Sequence, residues 1–128
     1  MNHVPFRVPS LPDEFRGVSL KDHRLDVRLG RILVSMESGC SSSLPDIFEN
    51  DSQLEAFYRF SNNDRIALEE LLAPPRNETV KRVSQYDVAV AVHDSSEFDF
   101  AGERGDGLYK LRNGKSGFLG HFTLGLTA

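Results

Sequence analysis

Hydrophobic positions along this chain follow a helical period in its first two thirds and a strand period after residue 86. From about 22 to 37, Leu25, Leu29, Ile32, Leu33 and Met36 recur at spacings of 4, 3, 1 and 3, which is one stripe of a 3.6-residue helix. Further on, SQLE at 52–55 has the form of a capping box and predicts a helix through about Phe60. Asp64 is placed to cap a third helix from 65 to about 73, which Pro74 and Pro75 should stop, and Asn77 or Thr79 can open a short fourth over TVKRV. In DVAVAVHDSSEFDF, 87–100, the run from Val88 to Val92 is short, apolar throughout and β-branched at alternate positions. It reads as a central strand covered on both faces and ended by His93 and Asp94. GLYKL at 107–111, an RNGKSG turn and GFLGHFTLGLT at 117–127 complete an antiparallel meander.

The fold class expected is therefore α+β, helices first and strands after. Residues 1–20, with Pro5, Pro9, Pro12 and Gly17, read as an extended arm; 21–84 as a helical domain; 85–128 as the strand region. ESGCSSSLPD is a Gly/Ser/Pro loop between the first two helices. The strands reach Ala128 with no further helix to cover them, so the sheet is expected to expose an apolar face and to favour self-association.

Composition adds exclusions. Apolar residues at 39% and charged residues at 27% are ordinary for a soluble globular chain, so disorder is not expected. No apolar run approaches the ~20 residues of a membrane span, and MNHVPFRVPSLPDEF lacks the basic-then-apolar order of a signal peptide. A cytoplasmic protein with no membrane partner is expected. Cys40 is the only cysteine, which excludes an intrachain disulfide and a thiolate metal cluster, and the four histidines have no ligand-like spacing. The net charge of −4 argues weakly against nucleic acid, but it is unevenly spread: residues 1–35 carry six Arg or Lys against four Asp or Glu, and 36–72 carry two against eight.

The arrangement of arginines decides more than the average. Arg24, Arg28 and Arg31 recur at 4 and 3 on a face of the first helix about 100° or more from its apolar stripe. Asp22 and Asp26 fall roughly opposite them on a helical wheel, badly placed for i,i+4 neutralisation. The result is an arginine ridge suited to phosphates, or else an ordinary solvated face. Asp94 poses a similar choice. A carboxylate at the mouth of a buried strand costs several kcal/mol, roughly, if desolvated without a partner. It either caps the turn through Ser95 and Ser96 or holds a metal, for which one residue is never enough.

Four segments together resemble the N-terminal part of bacterial cut-and-paste DDE transposases of the insertion-sequence-four and transposon-five type. SLKDHRLDVRLGRIL resembles that family's arginine helix, LEAFYRFSNNDRIALEELL its Tyr-Arg-Phe segment, ETVKRVSQYDVAVAVHDSSEFDF the approach to its first catalytic Asp, and GLYKLRNGKSGFLGHFTLGL the following strands. They occur in family order and cover roughly 18–127. Two departures stand out: Lys21 replaces the usual Gly, and Ser95-Ser96 replaces Thr-Thr.

The resemblance implies an N-terminal helical DNA-binding domain followed by the opening strands of an incomplete RNase-H-like core. It implies that Arg24, Arg28 and Arg59 grip a double-stranded transposon end, with Arg31 extending the ridge and Asn62 or Asn63 able to hydrogen-bond DNA. Lys81 and Arg82 can add to the basic surface, while Phe57, Tyr58 and Phe60 are expected in the core. Asp94 matches the first of three carboxylates that in such enzymes hold two divalent ions, Mg²⁺ or Mn²⁺. A single Asp cannot assemble that site, so these residues are expected to bind DNA without cutting it and to hold no metal tightly. A bacterial, nucleoid-associated protein is implied, working as a homodimer or with a full-length transposase. The competing class is a non-catalytic protein-interaction or regulatory module derived from a transposase, which the acidic stretch 36–72 suits.

Overall fold

The structure is a computed structural model that describes residues 8–100, 102 and 107–127. The first seven positions of the expected arm, and most of the link before Gly107, lie outside the described residues. The chain forms two compact units, residues 1–80 and 81–128.

The first unit is helical. Helix α2, His23–Ser38, follows the apolar stripe closely: Asp22 at its N-cap accepts from the Arg24 backbone N–H, and Leu29, Ile32 and Leu33 are buried. They join Leu20, Phe48 and Phe60 in one core, with Leu25 and Met36 partly buried against it. Each such side chain contributes about 1.5–3 kcal/mol of burial. Helix α4, Asp51–Ser61, starts earlier than SQLE predicts. Asn50 is its N-cap, and the Asn50 side chain accepts from the Gln53 N–H at 3.0 Å. Asn is as strong a cap as Ser, and one residue upstream of Asp51 it takes the position first.

Three expectations of the helical region change. Residues 8–20 are not simply extended: Ser10 caps a short helix α1, Leu11–Glu14, and Leu11, Phe15 and Val18 pack on the core. Leu11, between Pro9 and Pro12, and Phe15 and Val18, after them, supply that packing. The Gly/Ser loop contains a second short helix, α3, Leu44–Ile47, preceding buried Phe48. Finally, the third and fourth helices are one element, α5, Leu68–Val83, which runs through Pro74 and Pro75. The prolines remove two ladder hydrogen bonds, but their fixed φ is helical, and Thr79 Oγ1 donates to the Pro75 carbonyl at 3.1 Å. Asp64 caps no helix; it lies in a turn before α5 begins.

The second unit is a three-stranded antiparallel sheet, which with the helical region makes the fold α+β. Strand β1 spans Ala89–Phe100, β2 Tyr109–Lys110 and β3 Ser116–Thr127, in the order β1-β3-β2. It is not a sequential meander. The long hairpin β1–β3 pairs from Ala89↔Thr127 to Phe100↔Ser116, and short β2 adds to the far side of β3. The expected central strand is thus an edge strand, exposed at every position but Ser96, and it continues six residues beyond Asp94 to Phe100. The reason is pairing: residues 95–100 have partners on β3 that keep them extended.

Side-chain alternation gives this sheet two unlike faces. Val90, Val92, Phe98 and Phe100 share one with Phe118, Phe122, Leu124 and Leu126, and the Phe98 and Phe118 rings stack with centroids 4.9 Å apart. These side chains are exposed, Val90 at 56% and Phe122 at 53%. The expected apolar face is therefore present. The other face carries His93, Ser95, Glu97 and Asp99. Here Thr123 Oγ1 lies 2.9 Å from His93 Nδ1, Ser95 Oγ lies 2.8 Å from His121 Nδ1, and the two imidazoles stack.

Candidate nucleic-acid interface

The N-terminal half of α2 runs beside the C-terminal half of α4, and the groove between them collects basic side chains. It has a volume of about 490 Å³ and is lined by Asp22, Arg24, Leu25, Arg28, Ala56, Arg59, Phe60, Asn63 and Arg65. Four arginines face one carboxylate. The floor is apolar because Leu25, Ala56 and Phe60 belong to the packed faces of the two helices. The arginines are supplied by residues one helical turn apart on α2, by the last turn of α4, and by the turn after it.

Three of the four arginines expected from sequence, Arg24, Arg28 and Arg59, meet in this groove. Arg31 lies over a second groove, of about 460 Å³, with Arg28, Phe48, Glu49 and Gln53. Arg28 therefore borders both. Asn62 does not line either groove: it is the C-cap of α4, and its backbone N–H bonds the Tyr58 carbonyl. Asn63 lines the basic groove instead, and its Oδ1 accepts from the Arg65 N–H at 3.0 Å, which fixes the turn that presents Arg65. Sequence reading missed Arg65 because it assigned the residue to the start of a helix. The signal was Asn-Asp after the apolar end of α4, a turn pair that keeps the next residue outside a helix.

Ion pairing within the groove is uneven. Contrary to the helical-wheel expectation, Asp22 pairs with Arg24: its Oδ1 accepts from Nε at 3.2 Å and its Oδ2 from Nη2 at 3.0 Å. The wheel fails there because Asp22 is the N-cap, with φ −135° and ψ 112°, so its side chain does not follow the helical direction. The Arg24 side chain and then its backbone N–H hold the Asp22 carboxyl below its ordinary value of 3.8. Asp26 does stay clear of the arginines, accepting from the Leu20 N–H at 2.8 Å. Arg59 touches Glu55 at 3.3 Å, both side chains being largely exposed. Among the described residues, Arg28, Arg31 and Arg65 form no ion pair.

The aromatic side chains near α4 divide as burial dictates. Phe60 is buried and Phe57 is partly buried with Phe48, ring centroids 5.2 Å apart, while Tyr58 is exposed. Tyr58 departs from the core expectation because it points from the α4 face opposite the packed one.

Asp94 sits in the middle of β1, not at its mouth. It is exposed, pairs in register with Phe122, and shares the apolar face with Val92 and Ser96. Glu97 and Asp99 lie on the other face, and Asp99 accepts from Asn113 Nδ2 at 3.0 Å and pairs with Lys115 at 3.3 Å. Neither can share a cation with Asp94, nor can His93, as alternation predicts. Ser95 and Ser96 are strand residues and not a turn. No group of three or more His, Cys, Asp or Glu among the described residues could hold a metal ion. A dication such as Mg²⁺ wants about six oxygens, so the residues around Asp94 do not fit one.

Residues 10–66 match the family model described as transposase DNA-binding. That span contains α1 to α4 and every residue of the arginine groove. The match supports a transposase N-terminal domain with DNA as its partner. No curated protein matches the chain. Among the described residues, no helix is long and apolar enough to cross a membrane.

Proposed function

We propose that this protein binds double-stranded DNA at transposon ends through the α2–α4 groove. The observation that carries the reading is the gathering of Arg24, Arg28, Arg59 and Arg65 in one groove inside the segment that matches the transposase DNA-binding model. Guanidinium groups on a concave surface suit phosphates, which position the duplex and make affinity salt-dependent. Neutralising two unpaired arginines with Arg28→Gln and Arg65→Gln together should weaken binding to a duplex in a mobility-shift titration by roughly 2 kcal/mol, about 1 per charge-assisted contact. Unchanged affinity in the folded double variant would exclude the groove.

The finer reading is a DDE transposase of the insertion-sequence-four and transposon-five type, with the sheet as the opening of an RNase-H-like core and Asp94 as the first of its catalytic carboxylates. Its support is the order of the four segments and the strand that carries Asp94, paired in register with β3 from Ala89 to Phe100. With one carboxylate on that face, these residues bind DNA without cutting it. Nicking of supercoiled DNA by this protein in Mn²⁺, lost in Asp94→Asn, would contradict that statement.

A second reading has one observation in its favour. The exposed apolar face of β1 and β3 suits a protein-contacting module derived from a transposase, acting as a homodimer or on a full-length enzyme. In that case the Arg28 and Arg65 substitutions leave partner binding intact. A bacterial nucleoid location belongs to the first reading.

A further inference from the structure

The four arginines of the basic groove are chemically unequal, and Asp22 makes the difference. Its Oδ1 accepts from both the backbone N–H and Nε of Arg24, at 2.9 and 3.2 Å, while its Oδ2 accepts from Nη2 at 3.0 Å. These bonds occupy the side fork of the guanidinium. The outer fork, the parallel N–H groups of Nη1 and Nη2, stays available on a side chain that is 88% exposed.

A fork held this way is a poor phosphate clamp. Paired with Asp22, Arg24 is neutral as a unit, and a phosphate on its outer fork would stand close to a like-charged carboxylate. A guanine edge brings no such repulsion. Its O6 and N7 are neutral acceptors at the spacing of two parallel N–H groups, and an arginine in fixed orientation loses little freedom on meeting them. Arg28 and Arg65 form no ion pair among the described residues; Arg65 also feels the Asp22 carboxylate through space, but neither guanidinium is hydrogen-bonded to a carboxylate, so both keep their forks free for phosphates.

We infer that the groove divides its work: Arg24 reads a guanine in the major groove, Asp22 is the positioning residue that sets it to that task, and Arg28 and Arg65 hold phosphates. This rests on the DNA-binding reading and adds the base class that the groove recognises.

The experiment selects bound duplexes from a pool with 20 randomised base pairs and measures, for each variant, the salt dependence of affinity for the selected duplex. Wild type should enrich guanine at one position by at least about fivefold. Arg24→Gln should lose that enrichment while its salt slope changes by less than about 0.3, whereas Arg65→Gln should keep the enrichment and flatten the slope by about 0.9, the value of one phosphate contact. Asp22→Asn retains a capping oxygen, so α2 still starts there. It should weaken the guanine preference and steepen the slope by about 0.9 as Arg24 regains its charge, which a merely structural role would not do. Arg24→Lys, a second variant that keeps the charge and removes the fork, should also lose the enrichment. Enrichment that survives in Arg24→Gln while the slope flattens by about 0.9 would overturn the division of work. So would a wild type that selects no guanine. Absence of any duplex binding at low salt would overturn the DNA-binding reading itself, and the two failures are thereby distinct.

Discussion

Lys21 carries the clearest backbone strain among the described residues. It has φ 61° immediately before the α2 cap, and it is the only described non-glycine residue at positive φ. This is the position where the resembled family has Gly, so the sequence departure and the backbone agree. A left-handed residue with a Cβ costs about 1–2 kcal/mol, while Gly costs about 0.5–1 in unfolded-state entropy. The exposed Lys21–Glu70 pair, at 3.2 Å, offsets little. Lys21→Gly is expected to raise stability by about 0.5–1 kcal/mol in urea unfolding, and Lys21→Val to lower it. A second test at this scale concerns the α4 cap: Asn50→Ala should cost about 1 kcal/mol and Ser52→Ala nearly nothing. The reverse order would restore the SQLE capping box. Asp22 adds a pH dependence. Because pairing lowers its folded-state pKa, its stabilisation is present above 3.8 and fades as pH falls from 3.8 through the lowered folded value.

Among the elements, α2 was legible in its extent and buried face, because a five-member apolar stripe gives one answer, but the capping role of Asp22 was not. The sheet was legible only as strands. Periodicity places Val88, Val90 and Val92 on one face but says nothing about which strand is central; long-range pairing decides that, and it put β3 in the middle. The same pairing moved Asp94 from a strand end to a strand centre. Pro74 and Pro75 misled in the opposite way, since a local rule against proline in helices met a helix that tolerates them. In the sheet, Gly117 is the tightest point: a Cβ there would run into the Phe98 carbonyl and approach Leu111 Cδ1 to 2.6 Å. Gly117→Ala should therefore disrupt the β1–β3 ladder and cost at least about 1–3 kcal/mol; an unaffected unfolding midpoint would show the pairing to be looser than described. On the arginine helix, Arg31 borders the groove that holds Glu49 and not the basic one. Arg31→Gln should weaken duplex binding less than Arg28→Gln in parallel titrations.

For the whole molecule, charge is the informative scale. The net charge of −4 conceals a groove in which four arginines face one aspartate, because the acidic residues are spread elsewhere along the chain. What the sequence could not show was that residues near 24 and residues near 65 line one concavity, since that depends on how α4 packs against α2. The apolar face of the sheet makes its own prediction: the protein should bind a hydrophobic dye and self-associate with rising concentration, and a strictly monomeric, dye-silent protein by light scattering would contradict it. The most direct measurement of the central claim is the affinity of the wild-type protein for a duplex across a salt series. With Arg28 and Arg65 each on a phosphate, the slope of log affinity against log salt should be about −1.8 or steeper, at about 0.9 per contact. A slope near zero, or no binding at low salt, would contradict the account.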